Sequence, residues 1–146
     1  MAQLHRSVAT LRISGDDLDP DRITEMLGCA PTRAQRKGDV LTSTTSGLSR
    51  TAKSGMWRLE ATDHEPEDLD GQIGELLGRL TPSLDVWRAL SAQYQIDLFC
   101  GFFMHETNEG LEVSAESLAA LGQRGISLGM DIYSPTREEL AGAGGA

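Results

Sequence analysis

The sequence predicts an α+β fold: a ferredoxin-like antiparallel sheet with helices packed on one face, and a helical insertion between its two βαβ-type halves. Two observations carry this expectation. Segments with two-residue hydrophobic alternation at 8–14, 56–61 and 126–133 are separated by segments with helical spacing. Each alternating segment also keeps one polar face, which asks for cover on one side only.

The first strand is VATLRIS, with Ala9, Leu11 and Ile13 on one face and Val8, Thr10 and Arg12 on the other. Gly15 ends it. Asp19 followed by Pro20 then reads as an N-cap with proline at the first helical position, where a missing N–H costs nothing. Ile23, Met26 and Leu27 form the buried stripe of this short helix, and Gly28 is placed to stop it. The second strand is MWRLEA, with Trp57, Leu59 and Ala61 inward.

The helical insertion spans 67–94. Leu69, Ile73, Leu76, Leu77 and Leu80 lie at helical spacing, and Thr81-Pro82 restarts a second helix carrying Leu84, Trp87, Leu90 and Tyr94. IDLFCGFFM is apolar on both faces, as a central strand would be, and GLEVS reads as a short strand with Leu111 and Val113 inward. Ser114 caps a further helix with Leu118 and Leu121 toward the core. In the closing ISLGMDIY, Ile126, Leu128, Met130 and Ile132 point in, and Asp131 and Tyr133 point out. One domain over 1–135 accounts for these elements, and the tail at 136–146, ending in AGAGGA, reads as disordered.

Composition narrows the function. Hydrophobic residues make up 39% and charged residues 24% of the 146, a globular balance. No run approaches the ~18 apolar residues of a membrane span, and the start lacks a signal peptide's apolar core, so no membrane association and a cytoplasmic setting are expected. A net charge of −9 argues against nucleic acid as ligand and suits a basic partner. Cys29 and Cys100 stand at no metal-ligand spacing, and His5, His64 and His105 form no metal motif; no metal and no cofactor are expected. Asp17, Asp19 and Asp21 alternate as in a calcium loop, but Arg22 stands where the turn needs glycine and Gly28 where the bidentate glutamate belongs. No nucleophile–base signature is present, so no catalytic residues are assigned.

One stretch departs from the rest. Between positions 33 and 58 lie six of the thirteen basic residues: Arg33, Arg36, Lys37, Arg50, Lys53 and Arg58. The segment 33–55 is a long basic loop rich in Ser and Thr, read as a solvated connector. Its Arg33, Arg36 and Lys37, beside Trp57, are the candidate ligand- or anion-binding residues. The outer sheet face supplies a second candidate, a partner-facing surface of Arg58, Phe99, Phe103 and Tyr133.

The run SGDDLDPDRIT…LG…PT…KGD, followed by Trp57 in its strand, resembles the bacterial domain-of-unknown-function family 4279, and the resemblance extends over about residues 8–133. It implies a compact single-domain bacterial protein with no established activity or catalytic residues to carry over. It marks Lys37, Gly38 and Trp57 without explaining them, and residues 41–53 look like a local expansion. The leading expectation is a non-enzymatic protein-binding module, antitoxin- or immunity-like, acting through a protein partner or as a homodimer. The alternative is a small-molecule or anion-binding domain or enzyme using the Arg33/Arg36/Lys37 loop next to Trp57.

Overall fold

The computed structural model describes residues 2–144. In chain order the elements are β1 (Arg6–Gly15), α1 (Pro20–Leu27), β2 (Arg33–Gln35), β3 (Val40–Thr42), β4 (Ser49–Thr51), β5 (Gly55–Glu60), α2 (Leu69–Gly78), α3 (Leu84–Gln93), β6 (Gln95–Phe103), α4 (Ala115–Gln123), β7 (Ser127–Tyr133) and α5 (Arg137–Gly144). The fold is α+β. Five strands form one sheet in the order β2-β5-β1-β6-β7, antiparallel except for the β6–β7 pair. The helices α2 and α3, expected as an insertion, carry the chain from β5 across β1 to β6.

The buried layer follows the predicted alternation. Ala9, Leu11 and Ile13 of β1, Trp57 and Leu59 of β5, and Ile96, Leu98 and Phe102 of β6 meet Ile23 and Leu27 of α1, Ile73 and Leu76 of α2, and Trp87 and Leu90 of α3 in one apolar cluster. Alpha-1 begins as read: the Asp19 carboxylate accepts from the Asp21 N–H at 3.1 Å, and Gly28 closes the helix at φ 78, a conformation that disfavours any other residue. Gly55 is required for a different reason. A Cβ there would lie 2.8 Å from the Gly15 carbonyl oxygen and 2.9 Å from Leu18 Cβ, so the two chains could not stay paired at this register.

One polar group of residues is sealed into this layer. Ser7 and Gln72 are fully buried. The Ser7 hydroxyl donates to Gln72 Oε1 at 2.8 Å and accepts from the Asp68 N–H at 3.1 Å. Gln72 Nε2 in turn donates to the carbonyls of Ser7 and Thr62 at 3.0 and 2.9 Å. Every group is satisfied, so the network fixes where the start of α2 meets β1 without an unpaired buried atom.

Four expectations about secondary structure change. The loop at 33–55 is not a structureless connector: β2 joins the main sheet beside β5, and β3 pairs with β4 as a separate hairpin. GLEVS forms no strand; a single bridge links Gly110 to Gln3, and Leu111 and Val113 pack part-buried against the core. Alpha-3 starts at Leu84 rather than at Pro82, because Thr81 Oγ1 accepts from the Ser83 N–H and its carbonyl accepts the Trp87 indole N–H at 2.8 Å. Finally, Arg137–Gly144 of the tail form a helix. Thr136 and Glu139 satisfy each other there, side chain to backbone N–H in both directions, at 3.1 and 2.7 Å. Residues 145–146 of the expected disordered tail lie outside the described residues.

Candidate anion-binding cleft

The helix layer leaves the other sheet face uncovered, and the strand register sorts its side chains into rows. Arg33, Arg58, Arg12 and Asp97 lie side by side across β2, β5, β1 and β6. Arg12 and Asp97 form a two-pronged ion pair, with Nε and Nη2 donating at 2.8 and 2.6 Å. That bond, reinforced by the nearby charge of Asp131, holds the Arg12 pKa above its ordinary value against the lowering effect of burial. Arg12 also lies 4.5 Å over the Phe99 ring. Among the described residues, Arg33 and Arg58 have no such partner.

The third unpaired cation comes from the hairpin. Gly38 N–H donates to the Ala52 carbonyl and Ala52 N–H to the Asp39 carbonyl, at 2.9 and 2.7 Å, closing the hairpin's base. Register then places Leu41 opposite Arg50. The hairpin stands over the β2–β5 end of the open face and encloses a cleft of about 560 Å³, lined by Arg33, Ala34, Gln35, Met56 and Arg58 of the sheet and Leu41, Thr42, Ser43, Leu48, Ser49 and Arg50 of the hairpin. Among the described residues, no carboxylate lines it. Among the described residues, Arg33, Arg50 and Arg58 make no ion pair. Arg58 Nε donates to the Met56 sulfur, a weak acceptor that leaves the charge uncompensated. The cleft therefore offers three guanidinium forks, hydroxyl groups and an apolar wall, the chemistry of a site for a carboxylate or phosphate with an apolar body.

The structure does not bring the expected anion-binding set together. Arg33 is in the cleft, but Arg36 turns to the start of α1, where its guanidinium meets Asp19 at 2.8 Å and Asp21 at 3.0 Å. Lys37 reaches Asp16 at 3.4 Å. These two cations are paired with carboxylates of the DDLDPD run. Trp57 has no exposed surface, and its indole N–H donates to Thr24 Oγ1 at 3.1 Å. It cannot face a ligand, so its placement beside an anion site is corrected to a place in the core.

Of the partner-facing set, all four residues lie on the open face. Phe103 stacks on Tyr133 with centroids 4.9 Å apart, and Arg6 lies 4.8 Å over Phe103. Phe103 is part-buried and Tyr133 is 48% exposed. Arg58 belongs instead with the cleft at the opposite end. Arg50 was visible only as one more basic residue of a loop; the hairpin's cross-strand register is what aims it.

An α+β chain with an open sheet face and an arginine-lined cleft defines a class, and comparison with known proteins adds the family. Residues 3–135 match the model of a domain of unknown function, DUF4279, and the chain belongs to that family. No curated protein and no solved structure matches the chain.

Proposed function

We propose that the chain is a small-molecule-binding domain whose ligand is an organic anion seated between the β3–β4 hairpin and the open sheet face. One observation carries the reading: three unpaired arginines converge on a cleft without a carboxylate in a chain of net charge −9. Acidic side chains are abundant and neutralise Arg36 and Lys37 nearby, so an acid-free cleft is a selective arrangement. Thermal-shift and calorimetric titration at low salt with inorganic phosphate, nucleotides and mono- and dicarboxylic acids tests it. A ligand that raises Tm, and loses that effect in Arg33→Gln and Arg50→Gln, is the expected result. No shift from any of them at millimolar concentration overturns the proposal.

A second reading rests on a different observation, the rings of Phe99, Phe103 and Tyr133 on the open face, the first two part-buried and the third 48% exposed. It takes this end of the face as the seat of a protein partner, in the manner of an immunity-like module meeting a basic protein. Capture of such a partner by the native chain but not by Phe103→Asp is its test. A bacterial cytoplasmic setting belongs to the same reading, as does a finer description of the fold. Strands β1, β2, β5 and β6, with α1 and the α2–α3 pair, follow a β-α-β-β-α-β order, which supports a ferredoxin-like plan extended by the hairpin and by β7.

A further inference from the structure

The two edges of the main sheet are unlike. At one edge β2 has three residues, includes Arg33 and lies beside the hairpin, which is how natural sheets discourage further pairing. At the other, β7 runs for seven residues without proline, lysine or a bulge. The helix layer ends short of it. Leu128 is part-buried, but Met130 is 49% exposed and Ile132 58%, although their alternation marks them for a core. Leu118 of α4, which also reads as a core residue, is 51% exposed.

The free backbone groups can be assigned. Tyr133 accepts at its carbonyl from the Met104 N–H on the β6 side, at 3.0 Å. N–H and C=O of one strand residue point the same way and alternate along the strand. Asp131 and Gly129 therefore also face β6, and Leu128, Met130 and Ile132 direct their N–H and C=O groups to the open edge. Those six groups have the spacing that only another β-strand satisfies throughout.

We propose that a second copy of this chain supplies that strand, β7 pairing antiparallel with β7 about a two-fold axis through Met130. The strand is complementary to itself in this register. Leu128 faces Ile132 of the copy and Met130 faces its own equivalent on the helix side, while Asp131 faces Gly129 and Ser127 faces Tyr133 on the open side. No charged residue is directly opposed by a like charge, and all six backbone groups of each chain are used. The result is a continuous ten-stranded sheet, two copies of the five-stranded one, whose isologous contact closes on itself as a dimer. Each copy carries −9, so association strengthens as salt screens the repulsion.

Light scattering on the size-exclusion eluate and residue-resolved amide exchange test this together. The expected mass is twice the 15.8 kDa of one chain, and Ile132→Lys is expected to raise the dissociation constant at least tenfold with an unchanged circular dichroism spectrum. Amides of Leu128, Met130 and Ile132 are expected to exchange slowly in concentrated native protein and quickly in Ile132→Lys. A native chain that stays at 15.8 kDa at the highest soluble concentration overturns the proposal. So does a dimer in which those three amides exchange freely, because its interface lies elsewhere. If Ile132→Lys fails to fold, dilution of the native protein gives the same comparison of amides.

Discussion

Replacing Arg58 by methionine separates a binding arginine from a structural one. Beta-5 sets Arg58 directly opposite Arg12 on one side and Arg33 on the other. Like charges facing each other across strands destabilise a sheet by roughly 0.2–1 kcal/mol per pair. Asp97 already compensates Arg12, so most of the repulsion comes from Arg33, and its relief stabilises the unliganded protein by about 0.5–1 kcal/mol. For a chain of this size that is a rise in Tm of about 1–4 °C. Methionine keeps the aliphatic stem that lies on the sheet and gives up only the weak bond to the Met56 sulfur. The assay is differential scanning fluorimetry at ~10 mM and ~1 M salt, where the Debye length falls from about 30 to 3 Å. The stabilisation is expected at low salt and largely absent at high salt, while any ligand-induced rise in Tm disappears. If Arg58→Met instead lowers Tm by several degrees without ligand, the guanidinium holds the fold together. The cleft then does not store unpaired charge for a ligand.

Three further outcomes follow from the core. Trp57→Phe is expected to cost about 2 kcal/mol, roughly half from the lost indole–Thr24 bond and half from unfilled volume, and to leave ligand affinity unchanged in chemical denaturation and titration. Gln72→Leu strands the Ser7 hydroxyl proton and the Thr62 carbonyl and is expected to cost about 2–3 kcal/mol, with Ser7→Ala adding far less in that background than in the native chain. Burial opposes ionisation of Asp70, but the Ser114 N–H at 3.0 Å and the hydroxyls of Ser117 and Ser114 outweigh it and lower its pKa from the ordinary 3.8. The unfolded chain therefore binds this proton more tightly. Asp70 contributes in full above pH 3.8 and loses its contribution as pH falls through the lower folded value. The Tm gap between the native chain and Asp70→Asn should accordingly narrow between pH 6 and pH 2.5.

What could be read from the sequence depended on burial. Leu11 and Leu59 alternate with polar neighbours because one side of each strand meets the helix layer, so β1 and β5 were legible, while β6 was legible as an unbroken apolar run. Beta-2, β3 and β4 have no fully buried residue, and their Arg, Ser and Thr carry no periodicity to find. Their positions come from the open edge of β5 and from the turns that close the hairpin, both non-local. The same limit hid the cleft. Arg33, Arg50 and Arg58 are visible as cations, but nothing local tells them apart from Arg36 and Lys37, whose carboxylates lie 15–21 residues away. Met130, Ile132 and Leu118 show the converse: periodicity reports that a face is apolar, not that the same chain covers it.

The hairpin separates two properties that most small domains must adjust together. Its Val40 and Leu48 are 70% and 74% exposed, and only Ala52 at its base is buried. Lengthening its tip costs only about 0.6 kcal/mol of closure entropy per doubling. Residues facing the cleft from this side can therefore be exchanged or extended without disturbing Trp57, Gln72 or the α1 cap. The hairpin wall of the cleft lies outside the core, so it can diverge or be redesigned while the scaffold beneath it stays the same.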